Sequence, residues 1–183
     1  MTIAEFWNNQ KFSYLTTYSF NRAPNLAVLH RVIDITIKEL GQSVSLANFL
    51  QQFKLKRQLA ALEQQAQMGI HQKRLITKQG VIDSTADRIA LIKSDSLEAK
   101  QLGTIARALP SETDYAAGCI PVYRDALAFY NEQGQLLRVL NICFECLYME
   151  ASDGVMVKAD PPTYEALREV LSQLGHPIES VEN

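Results

Sequence analysis

Residues 119–146 decide the fold and read CIPVYRDALAFYNEQGQLLRVLNICFEC. Two runs rich in β-branched and aromatic residues flank the segment 131–134, whose glycine suits the left-handed position of a tight turn. The stretch therefore predicts a β-hairpin that holds all three cysteines of the protein. The turn also sets an approximate register, which places Cys119 opposite Cys146.

The second strand of this hairpin has one apolar and one polar face, because side chains along a strand alternate between two faces. The same register places Arg124 opposite Asn141 on the polar face, which Cys143 and Glu145 share. We predict that these four residues form an exposed binding surface, with an Arg124–Glu145 salt bridge that contributes little energy. The apolar face is predicted to point into the core and consists of Leu140, Ile142, Phe144, Cys146 and Tyr148.

The Cys143-x-x-Cys146 spacing gives only weak support for a metal or redox centre. Residues three apart in a strand point to opposite faces, so the two sulfurs do not reach one ion. Zinc knuckles usually carry glycine beside the cysteines, and thioredoxin-type pairs stand at a helix N-terminus. The pattern therefore favours packed core thiols. Two alternatives stay open: a redox site that uses Cys119 with Cys146, and a zinc site whose ligands include a histidine or Asp125 together with Cys119, Cys143 and Cys146.

Two titratable residues of the second half have predicted structural roles. Arg124 and Asp125 are neighbours in a strand, so one of them faces the core. A buried Asp125 needs a partner, for which Tyr123 or a backbone amide is the expected kind, and a structural ion pair or hydrogen bond is favoured over catalysis. His176 follows Gly175 at the end of the last predicted helix and is predicted to stabilise that terminus electrostatically.

The rest of the chain shows helical and strand periodicity in turn. An N-terminal helical pair is predicted at residues 26–40 and 45–68, with Gly41 ending the first helix. The other predicted elements are strands at 12–20, 74–77, 81–84, 88–93 and 155–159, and helices at 96–109 and 163–174. We divide the chain into a mostly helical segment at 1–70 and an α+β domain at 71–183. The predicted fold class is α+β: an antiparallel sheet with the cysteine hairpin, flanking helices and the N-terminal helical pair.

The composition is typical of a globular cytoplasmic protein. Its net charge of −2 produces no global field toward nucleic acid or an anionic membrane. The basic residues between 54 and 78 are diffuse and lack interleaved aromatics, so we predict a solvated face. No apolar run approaches the length of a membrane span. The three cysteines cannot form a fully paired disulfide framework, which favours a reducing cytoplasm.

The second half resembles a widespread but poorly described group of small bacterial domains, over about residues 72–176. Upstream of the hairpin, the segment 80–84 and the helix at 94–109 also fit this group. The sequence departs from the group's pattern at Asp125, where the group usually has histidine. The resemblance implies bacterial kinship and no particular reaction. The residues that carry it are Cys119, Pro121, Arg124, Gly134, Ile142, Cys143, Phe144 and Cys146.

The sequence contains no phosphate-binding glycine loop, nucleophile elbow or kinase signature. We therefore predict a bacterial, cytoplasmic and non-enzymatic binding module without a cofactor. Its expected partner is an unidentified protein, not nucleic acid or a membrane. The alternative function is the thiol-dependent zinc or redox site built on Cys119, Cys143 and Cys146.

Overall fold

The structure is a computed structural model that describes residues 1–46, 49–67, 69–109 and 118–178. The predicted α+β class is confirmed, with its antiparallel sheet, flanking helices and N-terminal helical pair. The elements in chain order are α1 (Ile3–Asn8), β1 (Tyr14–Ser19), α2 (Ala23–Leu46), α3 (Phe49–Gln67), a 3-10 helix (Ile70–Gln72), β2 (Asp87–Lys93), α4 (Leu97–Ala106), β3 (Asp125–Tyr130), β4 (Leu136–Cys143), β5 (Tyr148–Ala151), β6 (Met156–Val157) and α5 (Pro161–Gln173).

Within the described residues, six strands form one antiparallel sheet in the order β2-β1-β3-β4-β5-β6. Strand β1 pairs with β2 on one side and with β3 on the other. Its side chain Leu15 is fully buried. Because β1 comes from the N-terminal part of the chain, the sheet unites the two segments that the sequence separated at residue 70.

Helices α1, α4 and α5 cover one face of the sheet and build the main core. Polar side chains cap the starts of two of them: Ser96 accepts from the Ala99 amide, and Asp160 accepts from the Thr163 amide. Such caps satisfy amides that have no partner within the helix. Burial of each large apolar side chain contributes about 1.5–3 kcal/mol. This core includes Phe6, Leu102, Phe129, Leu140, Ile142 and Leu167.

The opposite face of the sheet is covered by residues 73–86, which lie between the 3-10 helix and β2. We call these residues the covering segment. Its Leu75 amide donates to Asn141 Oδ1 at 2.9 Å, and a buried ion pair joins Lys73 to Asp83 at 3.3 Å. Asn141 and Cys143 are each only 1% exposed. The prediction that these two residues lie on an exposed face is therefore wrong, because both faces of the central hairpin are covered.

The covering segment contains less strand than the sequence predicts. The strands predicted at 74–77 and 81–84 are reduced to one bridge between Ile76 and Ile82. Gly80 makes the turn between them with φ of 78°, a conformation that favours glycine. The segment thus covers the sheet by side-chain contacts and does not extend it.

The predicted hairpin is confirmed as β3–β4, but its register differs. Ala126 pairs with Asn141, whereas the prediction placed Arg124 opposite Asn141. The register shifts at a bulge between Phe129 and Tyr130, beside the turn. Because side chains alternate with a period of two, this two-residue shift preserves which residues share a face.

The end of β4 differs more strongly from the predicted extended strand. Strand β4 ends at Cys143, and a turn at 144–147, with Leu147 at φ of 49°, leads directly into β5. Cys143 and Cys146 therefore lie in one apolar cluster, and the prediction that they point to opposite faces is wrong. The predicted proximity of Cys119 and Cys146 is confirmed, because their Cα atoms lie 5.9 Å apart. The two residues form a disulfide, so the prediction that they are unpaired core thiols is wrong.

The N-terminal helical pair consists of α2 and α3, which pack against each other. Gly41 lies inside α2 and does not end it. Leu40 and Val44 stay half-buried on either side of this glycine, and we attribute the continuation to their packing, which offsets its cost of about 1 kcal/mol. Positions 47, 48 and 68 of the predicted second helix lie outside the described residues. None of the described helices is both long and apolar enough to cross a lipid bilayer.

Candidate functional site

A cavity of about 750 Å³ opens where the ends of β1, β2 and β3 meet at one edge of the sheet. The strand register creates this meeting point, because Ser19 pairs with Asp87 of β2 and also with Asp125 of β3. The start of α2, the β4–β5 turn, and α5 with the residues that follow it supply the other walls. The charged residues of the lining are Arg22, Arg124, Arg168, Asp87, Asp125 and Glu145.

Two of the four residues of the predicted binding surface line this cavity. Arg124 and Glu145 form the predicted ion pair, and their side chains are 32% and 58% exposed. The thiol of Cys143 donates to Glu145 Oε2 at 3.5 Å. Asn141 instead binds the covering segment through Leu75. The structure thus brings Arg124 and Glu145 to the cavity and buries Asn141 and Cys143.

Asp125 lies in the floor of the cavity as the centre of a buried ion cluster. Its carboxylate accepts two hydrogen bonds from Arg22 Nη2, at 3.0 and 2.8 Å, and its Oδ1 lies 2.7 Å from His176 Nδ1. Arg22 Nε also donates to Ser19 Oγ at 2.6 Å. The expectation of a structural ion pair at Asp125 is confirmed, whereas Tyr123 and a backbone amide as its partners are wrong.

The end of α5 places His176 in this cluster. Gly175 adopts φ of 101°, and its amide donates to the Ser172 carbonyl, while the His176 amide donates to the Leu171 carbonyl. This pair of bonds is the Schellman arrangement, which turns the chain back over the helix end. The His176 imidazole is thereby buried against the sheet, where its main partner is the Asp125 carboxylate. His176 Nε2 is buried and has no hydrogen-bond partner among the described residues.

Among the three arginines that line the cavity, Arg168 of α5 has the longest contacts with protein acceptors. Its side chain is 12% exposed, and the nearest acceptors of Nη2 are the Phe144 carbonyl at 3.4 Å and Glu165 at 3.7 Å. The guanidinium carbon lies 5.5 Å from the centre of the Phe144 ring. Its Nε is buried and finds no hydrogen-bond partner within residues 1–46, 49–67, 69–109 and 118–178. A buried donor left in this state costs about 1–3 kcal/mol.

The cysteines do not supply a reactive thiolate at this site. Burial raises the pKa of Cys143, and the Glu145 carboxylate adds to the effect against the opposing backbone hydrogen bonds from Cys146 and Val122. A nucleophilic cysteine needs a lowered pKa and access to solvent. Cys143 is therefore a neutral buried donor.

The four residues of the predicted zinc alternative are not arranged as a metal site. Asp125 is held by Arg22 and His176, and Cys119 is bonded to Cys146. Within the part of the chain that the structure describes, no group of three or more His, Cys, Asp or Glu side chains is placed to hold a metal ion.

A half-buried polar network holds the covering segment to the sheet. Arg74 forms a two-point ion pair with Glu150, at 2.7 and 2.9 Å, and lies over the ring of Tyr123, whose hydroxyl donates to Glu150 at 3.1 Å. Burial and the Glu150 carboxylate raise the pKa of Tyr123. Burial opposes ionisation of Glu150, but the hydrogen bonds and charge of Arg74 outweigh it and lower the pKa of that carboxyl. Both oxygens of the Glu150 carboxylate accept hydrogen bonds in this network, which stabilises the fold.

Sequence reasoning did not identify Arg22, Arg168 and His176 as residues of the site. Arg22 stands between β1 and α2, and Arg168 lies on the polar side of an amphipathic helix, a position that usually indicates solvent exposure. The burial of His176 could have been predicted from the sequence, because a residue that follows a glycine helix cap folds back toward the packed face.

Comparison of the chain with known protein families, with curated proteins and with solved structures finds no match. The resemblance to the group of small bacterial domains therefore stays an expectation from the sequence.

Proposed function

We propose that the protein is a non-enzymatic binding module whose cavity takes up a carboxylate group. The carboxylate belongs either to a small molecule or to the C-terminus of a peptide from a protein partner. The observation that carries this proposal is Arg168, a largely buried guanidinium that lines the cavity with its Nε unsatisfied.

The geometry of an arginine side chain matches a carboxylate well. Its planar guanidinium can donate to both carboxylate oxygens at once, and such charge-assisted hydrogen bonds are stronger than those between neutral groups. The present partners of Arg168 Nη2 lie at 3.4 and 3.7 Å, which is long for these bonds. A ligand carboxylate would offer Arg168 closer acceptors than the Phe144 carbonyl and the Glu165 carboxylate. The cavity of about 750 Å³ is within the usual range for small ligands.

The charge balance of the lining favours a ligand with one negative charge. Arg22 is neutralised by Asp125, and Arg124 by Glu145, which leaves Arg168 as the least neutralised cation. Asp87 at the same cavity interacts with the neutral amide of Asn25, at 2.7 Å. A polyanion would meet this carboxylate without compensation, so nucleotides and nucleic acid fit the site poorly.

The Asp125–His176 pair supports binding more than catalysis. A catalytic imidazole needs a hydroxyl, thiol or substrate proton within hydrogen-bond reach of its free nitrogen. In the described part of the chain, His176 Nε2 is buried with no hydrogen-bond partner, and His176 is not among the residues that line the cavity. Its contact with Asp125 holds the cavity floor in place.

The test uses an N-acetylated tripeptide with a free C-terminus, its C-terminally amidated twin, and an N-acetylated amino acid. Binding to the full chain is followed by calorimetry and by NMR shifts. We expect the free acids to bind and the amide to bind about tenfold more weakly or not at all. Binding of the acetylated amino acid identifies a small-molecule site, whereas binding of the tripeptide alone identifies a peptide terminus.

A matched pair of variants tests the role of Arg168. Arg168→Gln should weaken binding of the free acid about tenfold, because one charge-assisted contact is lost. Arg57→Gln removes the same charge from an exposed position of α3 and should change nothing. Equal affinity for acid and amide, or equal losses in the two variants, would contradict the proposal.

A thiol-dependent redox role is the second candidate, and the Cys119–Cys146 disulfide favours it. Cys119 is exposed, so an external thiolate can attack its sulfur. Two-electron transfer would oxidise a substrate dithiol to a disulfide and leave Cys119 and Cys146 as thiols. Incubation with a reduced dithiol peptide should then yield one oxidised peptide per reduced protein. Failure of the peptide to oxidise removes this candidate.

We also propose that the protein is bacterial and cytoplasmic. This location predicts the redox state of Cys119 and Cys146 in cells. Glutathione and thioredoxin keep most cytoplasmic thiols reduced. Rapid alkylation of thiols in cells, followed by mass spectrometry, should find Cys119 and Cys146 alkylated in a cytoplasmic protein. A protected pair would place the protein in an oxidising compartment.

A further inference from the structure

A second cavity, of about 300 Å³, lies between α1 and α4, away from the carboxylate site. Its walls come from the end of α1, the loop before β1, the residue after β2, and α4. The lining residues that matter to the argument are Trp7, Asn8, Lys11, Ser94, Lys100 and Arg107.

This cavity carries an uncompensated positive charge. Lys11, Lys100 and Arg107 line it, and none of the three has a carboxylate within ion-pair distance among the described residues. No aspartate or glutamate belongs to the part of its lining that the structure describes. Arg107 Nε donates to the neutral side chain of Asn8 at 2.7 Å, which orients the guanidinium. The arginines of the larger cavity are, by contrast, accompanied by carboxylates.

Gly103 allows two hydrogen-bond donors to converge at this site. A Cβ atom at position 103 would lie 2.9 Å from Arg107 Nη1 and 3.0 Å from Trp7 Nε1. Only glycine therefore lets the guanidinium and the indole N–H both approach this point of α4. The indole N–H of Trp7 donates to no acceptor among the described residues, and its nitrogen is not one of the fully buried unpartnered atoms. Because Trp7 lines the cavity, this donor is available to a ligand oxygen.

We propose that this second cavity binds a phosphate group, either inorganic or as the monoester of a small molecule. A dianion compensates two of the three positive charges, whereas a singly charged carboxylate compensates only one. Phosphate oxygens can accept from the Arg107 guanidinium and the indole N–H, which converge beside Gly103, and the two lysines of the lining add favourable charge. The inference is independent of the carboxylate site, because the two cavities share no lining residue.

Trp7 makes the binding directly measurable, because it is the single tryptophan of the protein. The full chain is titrated with inorganic phosphate, methyl phosphate and dimethyl phosphate, while chloride keeps the ionic strength constant. We expect a saturable change of tryptophan fluorescence with phosphate and with the monoester, and weaker binding of the singly charged diester. A change that follows ionic strength alone would overturn the proposal.

Charge-removing variants give the second test. Lys100→Gln and Arg107→Gln should each raise the half-saturating phosphate concentration about tenfold. Lys54→Gln removes the same charge from an exposed position of α3 and should leave it unchanged. Lys100 is exposed, so its variant keeps the test valid even if Arg107→Gln fails to fold. An unchanged half-saturation in Lys100→Gln would refute a phosphate site here.

Discussion

His176 Nδ1 lies 2.7 Å from Asp125 Oδ1, although 51 residues separate them in the chain. Since a carboxylate only accepts, the imidazole N–H donates in this bond. The contact ties the end of α5 to the start of β3, and the two-point ion pair with Arg22 ties the start of α2 to the same carboxylate. Asp125 thereby fixes three walls of the larger cavity.

Replacement of Asp125 should therefore cost far more than replacement of a surface acid. Asp125→Asn removes the charge that the buried His176 and the half-buried Arg22 contact, and we expect a loss of about 3 kcal/mol in the free energy of unfolding. Asp153, half exposed and paired with Arg138, is the matched control, and Asp153→Asn should cost below about 1 kcal/mol. Urea unfolding of both variants measures the difference. Similar costs would show that the Asp125 cluster does not stabilise the fold.

Acid should weaken the Arg74–Glu150 pair in a defined direction. The folded pKa of Glu150 lies below its ordinary value of 4.5, so the pair stabilises the fold fully above that value. The stabilisation is lost as the pH falls through the lower, folded pKa. Glu150→Gln should therefore destabilise the protein at pH 7 and do so less in acid, as measured by the urea midpoint. Glu165→Gln, at an exposed position, is the surface control and should cost below about 1 kcal/mol at pH 7.

Two glycines should respond in opposite ways to the same substitution. Gly175→Ala forces a side chain into φ of 101° and should destabilise the protein by about 1–2 kcal/mol. Gly41→Ala lies inside α2 with no atom within 4 Å of the new Cβ, and should stabilise it by about 0.5–1 kcal/mol. Thermal unfolding reports both shifts. Destabilisation by Gly41→Ala would mean that α2 does not pass through this position.

Reduction of the disulfide should lower stability and expose new thiols. The bond spans a sequence separation of 27 residues, and closing a loop of this size contributes about 3–4 kcal/mol. Without reductant, only Cys143 should react with a thiol reagent, and slowly because it is buried. With reductant, all three cysteines should react. Cys143→Ala should keep the sensitivity of stability to reductant, whereas Cys119→Ser should abolish it.

The fold could be predicted from the sequence where local patterns are strong. Strand β1 and helix α5 have clear periodicity, and the turn at Gly134 identified the β3–β4 hairpin. The register could not be predicted, because the bulge beside Tyr130 has no sequence signature. The turn after Cys143 was missed for a related reason: its Leu147 adopts a positive φ that leucine rarely takes.

The site could be predicted only in part, since its residues come from distant elements. Arg124 and Glu145 belong to one hairpin, so the local register brought them together in the prediction. Arg22 lies 103 residues from Asp125, and that contact depends on the order of strands in the sheet. The burial of Asn141 depends on the covering segment. The position of that segment could not be predicted, because it has almost no regular secondary structure.

The placement of β1 has a consequence for how the protein is made. As the chain leaves the ribosome, β1 emerges before its two partner strands and has no edge to pair with until β2 and then β3 have been synthesised. The α2–α3 pair depends only on neighbours in sequence and can form during that wait. Completion of the sheet is then the late, non-local step, and such steps are slow. A nascent chain stalled before β3 should therefore expose β1 to chaperones and proteases.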